Sequence, residues 1–148
     1  MRDKASLLYE WRQLRLDLKE NLDKQTLQKV NDWWRAIPCH VNGFNYDDIS
    51  TWPDVWEYIS EEFYTNSGHG LGCFYTFHYA HPRKKAEVWL IMDMEYGGMY
   101  LVTYADGYIL NRISGEVQLY EDIKDDLDIM TKITPEDIDF AIKKRNSQ

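Results

Sequence analysis

Apolar side chains recur at helical spacing through the first quarter of the chain. Leu7, Trp11, Leu14 and Leu18 fall at i, i+4, i+7 and i+11, one face of a helix over residues 3–22. Leu27, Val30 and Trp34 carry the pattern into a second helix. It ends before Pro38, because proline disfavours helix at the residue preceding it. PCHVNGFNYDD then reads as a loop with an Asn-Gly turn. In TWPDVWEYISEEFY, the residues Trp52, Val55, Trp56, Ile59 and Phe63 form one stripe and predict a core-facing helix. Thr51 is expected to cap it. Asp54 would complete a capping box, and Pro53 sits in the first turn, where a missing N–H costs nothing.

The next stretch, GLGCFYTFHYAH, fits two periods. Its aromatics alternate loosely, as in a strand, while Leu71, Phe74, Tyr75 and His78 satisfy helical spacing. Beyond HPRKK come strand-like runs over residues 87–92, 99–104, 108–110 and 116–119. Gly97-Gly98, Asp106-Gly107 and Ser114-Gly115 separate them, and Asp-Gly is a strong hairpin signal. This predicts an antiparallel meander. The acidic segment YEDIKDDLDIM follows. TPED then opens a last short helix with Thr134 as cap and Pro135 in its first turn, and KKRNSQ places positive charge at its C-terminus. Helices first and strands later give an α+β class: N-terminal helices, a core helix packed on an antiparallel meander, and a short C-terminal helix. Residues 1–36 are expected to pack on the domain or on a partner, and residues 37–148 to form the α+β core.

Composition narrows the functions. With 44% hydrophobic and 15% aromatic residues over 148 positions, the chain can build a core and is not of disordered type. Its 25 acidic and 17 basic residues give a formal charge of −8, which gives no support for nucleic-acid binding, since phosphate contacts need a basic footprint. A DNA mimic would invert that logic, but the acids are spread along the whole chain rather than gathered. No apolar run suggests a signal peptide or a membrane span. Two cysteines are no disulfide framework, so a reducing compartment, the cytoplasm, is expected.

The stretch YTNSGHGLGC, residues 64–73, gathers glycines, a histidine and a cysteine. A reactive thiol needs a lowered pKa, usually from a helix N-terminus and a neighbouring histidine. If the segment is helical, His69 and Cys73 share one face. A histidine of the same helix rarely serves as the base, and the alternative is a buried thiol among aromatics. Cys39-His40 are adjacent in a loop and cannot readily bond side chain to side chain. Among Cys39, His40, His69, Cys73, His78 and His81, no C-x-x-C or H-x-x-x-H ligand pair occurs, so neither a metal nor another cofactor is expected. GHGLG is not a dinucleotide fingerprint, and no phosphate-binding loop is present.

The order of phrases resembles a known family. The helix WPDVWEYI, a turn, a helix beginning near Thr65, the hairpin EVWLIMDMEYGGMYLVTYADGYILN and a trailing strand look like the transglutaminase-like cysteine peptidases of bacteria, over residues 41–119. In that family a catalytic Cys opens the core helix. A His begins a strand, and an Asp follows in a phrase resembling Y-V-L-D-N. Here GGMYLVTY resembles the phrase holding the His and GYILNR the phrase holding the Asp. The resemblance implies a papain-like core. It puts Thr65 at the Cys position, Met99 at the His position and Asn111 at the Asp position. A thioether cannot act as a general base, and without one the Thr hydroxyl is not activated. The resemblance therefore implies the shell of a thiol enzyme without its triad. With a shifted correspondence Cys73 would be the nucleophile of a thiol hydrolase or acyltransferase, yet no His follows His81 to serve it from the sheet. NDWW, TWPDVW and GLGCFYT also resemble small proteins of tailed phages, which implies a virion or accessory role. The expected function is a non-catalytic domain that works through contacts with other proteins, virion subunits or itself. The paired Trp33 and Trp34 are the expected contact residues. An acidic inhibitor of a host enzyme is a further alternative.

Overall fold

Both expected N-terminal helices form, each opened by an aspartate. In the computed structural model, which describes residues 3–38, 45–60 and 66–147, α1 spans Lys4–Glu20 and α2 spans Lys24–Ala36. Asp3 and Asp23 accept the N–H groups of Ser6 and Thr26 at 2.8 Å, satisfying donors that a helix start leaves open. The apolar stripes face inward: Leu7, Trp11 and Leu18 of α1, and Leu27, Val30 and Trp34 of α2, are all buried.

The third helix departs from expectation at its start and on one face. Residues Ile49–Thr51 form a 3₁₀ turn, so Thr51 ends one element instead of capping the next. Helix α3 spans Val55–Ser60, and its reciprocal cap is Asp54 with Glu57: Glu57 N–H donates to Asp54 at 2.8 Å and Asp54 N–H to Glu57 at 3.1 Å. Pro53 precedes this cap. Val55, Tyr58 and Ile59 are buried, whereas Trp56, expected in the core, is 60% exposed. The inward face is made by Val55, Tyr58 and Ile59, and Tyr58 takes the core place that the stripe assigned to Trp56. Phe63, also in that stripe, lies outside the described residues.

The ambiguous stretch is helical. Helix α4 spans Asn66–Ala80, and Leu71 through Phe77 are buried without interruption. A helix apolar on all sides is a buried one. Here α1 and α2 cover one side of it and the sheet covers the other.

The sheet has five antiparallel strands in the order β4-β3-β2-β1-β5, with β1 at Ala86–Asp93, β2 at Met99–Ala105, β3 at Tyr108–Leu110, β4 at Gln118–Leu119 and β5 at Leu127–Ile133. Asp106 and Gly107 take φ of 50° and 97°, the left-handed pair that a tight hairpin requires. The meander is as expected; β5 is not. It arises from the acidic segment and pairs with β1, with Met130 as an extra residue between Ile129, opposite Ile91, and Thr131, opposite Leu90.

Because β4 and β5 lie at opposite edges, the chain joining them must cross the sheet. Helix α5 (Tyr120–Ile123) and a 3₁₀ turn (Lys124–Asp126) make that crossing on the face away from the helices. Ile123 and Leu127 there close a second buried cluster with Trp89, Ile91, Tyr100, Val102 and Ile109. The larger cluster lies on the helical side and runs from Leu7 to Ile138, on both sides of residue 36. Helix α6, Pro135–Asn146, has the expected Thr134 cap, completed as a box by Asp137. Near its end, Arg145 donates to the Trp52 carbonyl at 2.7 Å and to Glu57 at 2.5 Å, tying α6 to α3. The architecture is α+β.

Candidate functional site

The glycines of the GHGLGC stretch serve close packing. A Cβ at Gly70 would lie 2.9 Å from the Leu101 carbonyl oxygen of β2, and one at Gly72 would lie 2.8 Å from the Trp34 ring. Glycine therefore lets α4 press on the sheet at one point and on an α2 indole at the next. Thr103 Oγ1 fastens the first contact by donating to the Gly70 carbonyl at 2.5 Å. One turn on, Thr76 Oγ1 accepts the indole N–H groups of Trp11 and Trp34 at 2.8 and 2.9 Å and donates to the Gly72 carbonyl at 2.8 Å.

Cys73 and His69 lie one turn apart in this helix. The thiol is buried, and burial pushes its pKa well up, against a smaller opposing effect of the Arg35 charge. His69 is buried too. Desolvation and then the Arg35 charge push its pKa down to about 4, against a hydrogen bond with the Ile37 backbone, and its Nε2 has no hydrogen-bond partner. At neutral pH both groups are uncharged, the reverse of a thiolate–imidazolium pair. His78 belongs to the same helix, and His81 just beyond it engages the Leu18 carbonyl through Nε2 at 2.8 Å. Among the described residues no imidazole from another element faces Cys73. Cys39, His40 and Thr65 lie outside the described residues.

Met99 opens β2, is 37% exposed and pairs with Met92 across the strands. Asn111 follows β3 in the left-handed region at φ 70°. It is buried, its Nδ2 donates to the Leu101 carbonyl at 2.9 Å, and its N–H donates to Asn31 Oδ1 at 2.7 Å. Its amide lies beside Gly70, where a Cβ would come within 3.1 Å of Nδ2. The fold therefore sets Asn111 against the first turns of α4, with Met99 two residues from Leu101 on the same strand.

The two tryptophans expected as partner contacts divide. Trp34 is 1% exposed and fills the core between Gly72, Thr76 and Tyr58, so it presents no surface to a partner. Trp33 is half-buried, packs edge-on to Trp34 and donates to Glu10 at 3.1 Å.

A buried polar network around Asp93 was not foreseen. Arg112 and Asp93 are both buried and pair at 3.3 Å; Arg112 also reaches Glu95 at 3.0 Å and Gln118 at 3.1 Å. Asp93 further accepts the Tyr100 hydroxyl at 2.6 Å and the N–H groups of Glu95 and Tyr96 at 3.0 Å. Burial alone would raise the carboxyl pKa, but hydrogen bonds from Tyr100, the Tyr96 N–H and Arg112 outweigh it and hold the group below its ordinary value. Burial, and then the bond to Asp93, push the Tyr100 phenol up. The network locks the β1–β2 hairpin tip to the turn after β3. Gln28, Asn31 and Arg35, along one side of α2, hold that turn from the other direction through the carbonyls of Gly115, Arg112 and Ile113.

A cleft of about 780 Å³ lies between α6, the Tyr46–Ser50 segment and β5, with Phe140 and Lys144 among its lining residues. Among the described residues no group of three or more His, Cys, Asp or Glu is placed to hold a metal ion, and no helix is long and apolar enough to cross a membrane. No protein-family model, no curated protein and no solved structure matches this chain.

Proposed function

We propose that this chain is a non-catalytic α+β module that acts through contacts with other proteins. The observation that carries this reading is the state of the one thiol–imidazole pair within the described residues: Cys73 and His69 sit side by side in a core helix, both buried and both held neutral. A thiol hydrolase needs the opposite, an accessible sulfur charged at neutral pH. The surface, by contrast, carries large apolar groups that the core does not use, among them Trp56, Tyr79, Met94 and Tyr96.

The scaffold reading belongs to the same proposal. The order α3, α4, then an antiparallel meander, with the first turns of α4 lying against β2 and Asn111, supports a transglutaminase-like core whose base position holds Met99. The phrases that resemble tailed-phage proteins support an accessory role in such a particle or in the host cytoplasm. Purification from the native source tests the function. A second protein should remain with the chain at fixed stoichiometry through size-exclusion chromatography. A chain that elutes alone as a monomer counts against the reading.

A further inference from the structure

Around Trp11 three helices bring together groups that no internal contact completes. Trp11 is buried, with its N–H satisfied by Thr76. The Arg15 guanidinium lies over its ring, 4.0 Å from the centroid. Trp56 of α3 stands edge-on to Trp11 at 6.2 Å, and Tyr79 of α4 lies at 6.1 Å. Trp56 is 60% and Tyr79 44% exposed, so two partly open rings stand against the indole that carries the Arg15 guanidinium.

The charges are as incomplete as the rings. Arg35 is engaged by two carbonyls, Arg112 by Asp93 and Glu95, and Arg145 by Glu57. Among the described residues no carboxylate pairs with Arg12 or Arg15, and the Arg15 Nε is buried with no acceptor. The two arginines sit one turn apart on α1, where like charges repel. Neither arginine is paired with a carboxylate among the described residues, although Asp54 and Asp139 lie near enough to Tyr79 to act on its phenol, and the chain as a whole carries a formal charge of −8. Trp, Tyr and Arg are the residues that carry most binding energy at protein interfaces, and a guanidinium edge matches a carboxylate in two-point geometry.

We propose that the surface formed by Arg12, Arg15, Trp56 and Tyr79 binds an acidic peptide segment of a partner protein, one that carries an aromatic or aliphatic side chain beside a carboxylate. This rests on the reading of the chain as a contact module. The carboxylate pairs with Arg15 and relieves its repulsion with Arg12, while the apolar side chain lies between Trp56 and Tyr79. The ion pairs are exposed to solvent, so added salt weakens the complex.

The test is selection of a random heptapeptide display library on the full chain, followed by titration of the leading synthetic peptide. Enriched sequences should carry Asp or Glu next to an aromatic or aliphatic residue. Arg15→Gln and Trp56→Ala should each weaken the peptide about tenfold or more while the variants stay folded at the assay temperature by circular dichroism, and Tyr96→Ala should leave it unchanged. Peptides with no acidic preference, or affinity unchanged in both variants, overturn the proposal. Peptides lost in Tyr96→Ala but kept in Arg15→Gln and Trp56→Ala overturn this surface and leave the contact module standing. A library with nothing enriched overturns this surface; added to a chain that purifies alone, it counts against the module as well.

Discussion

At Thr76 one hydroxyl oxygen accepts two indole N–H groups and donates to its own helix. Thr76→Val keeps the shape and strands both indoles, each a buried donor, so the loss should be about 2–4 kcal/mol in urea unfolding, with Thr76→Ser recovering most of it. Gly72→Ala presses a methyl into the Trp34 ring and should cost about 1–3 kcal/mol, measured the same way. His69 makes a pH-dependent prediction. Its folded pKa of about 4 lies below the ordinary value of 6.5, so between the two the unfolded chain binds the proton and the folded chain does not. Stability is therefore complete above the ordinary value and declines as pH falls toward 4, by up to about 3 kcal/mol. Denaturant titrations at neutral and mildly acid pH should show this slope in the native chain and a shallower one in His69→Gln. Equal slopes would mean that His69 is better solvated than its surroundings indicate. None of these residue-level features was legible in the sequence beyond the bare presence of Gly, His and Cys. Their roles depend on which indole and which strand face α4.

Elements were legible where period and capping agreed. Helices α1 and α6 begin within a residue or two of where stripe or cap places them, and α2 carries the stripe of Leu27, Val30 and Trp34. Helix α4 could not be told from a strand because burial on every side removes the pattern that separates the two periods. Trp56 misled because Val55, Tyr58 and Ile59 set the buried face of α3 and leave Trp56 outside it. Strand β5 was hidden by its charged, exposed positions Asp128 and Lys132 and by the bulge at Met130, which breaks strict alternation. Bulges and edge charges of this kind keep a free strand from pairing with another chain. The Asp93–Arg112 pair escaped notice because its partners are 19 positions apart and meet only through the hairpin tip and the turn after β3. Arg112→Ala leaves a buried carboxylate without its countercharge and should destabilise by about 3–5 kcal/mol, whereas Asp93→Asn with Arg112→Met should lose less than the two single changes combined. Asp93 adds a second acid-sensitive contribution. Its pKa is depressed in the fold, so its stabilisation is present above the ordinary carboxylate value and fades as pH falls below it, under the range where His69 acts.

For the whole molecule, the α+β class followed from helices preceding strands, and the crossing of α5 beneath the sheet did not, because nothing local in YEDIKDDLDIM says that β5 joins the far edge. That crossing covers the second face of the sheet with a buried cluster of its own. A functional reading at this scale turns on whether the thiol in the core helix is available. Iodoacetamide labelling of the folded chain near neutral pH, with the Cys73 peptide quantified by mass spectrometry against an unfolded control, measures that directly. Cys73 should be labelled far more slowly in the folded chain than in the unfolded one, and only as fast as the fold opens. Labelling of Cys73 in the intact fold faster than in the unfolded chain would reveal an activated nucleophile and contradict it.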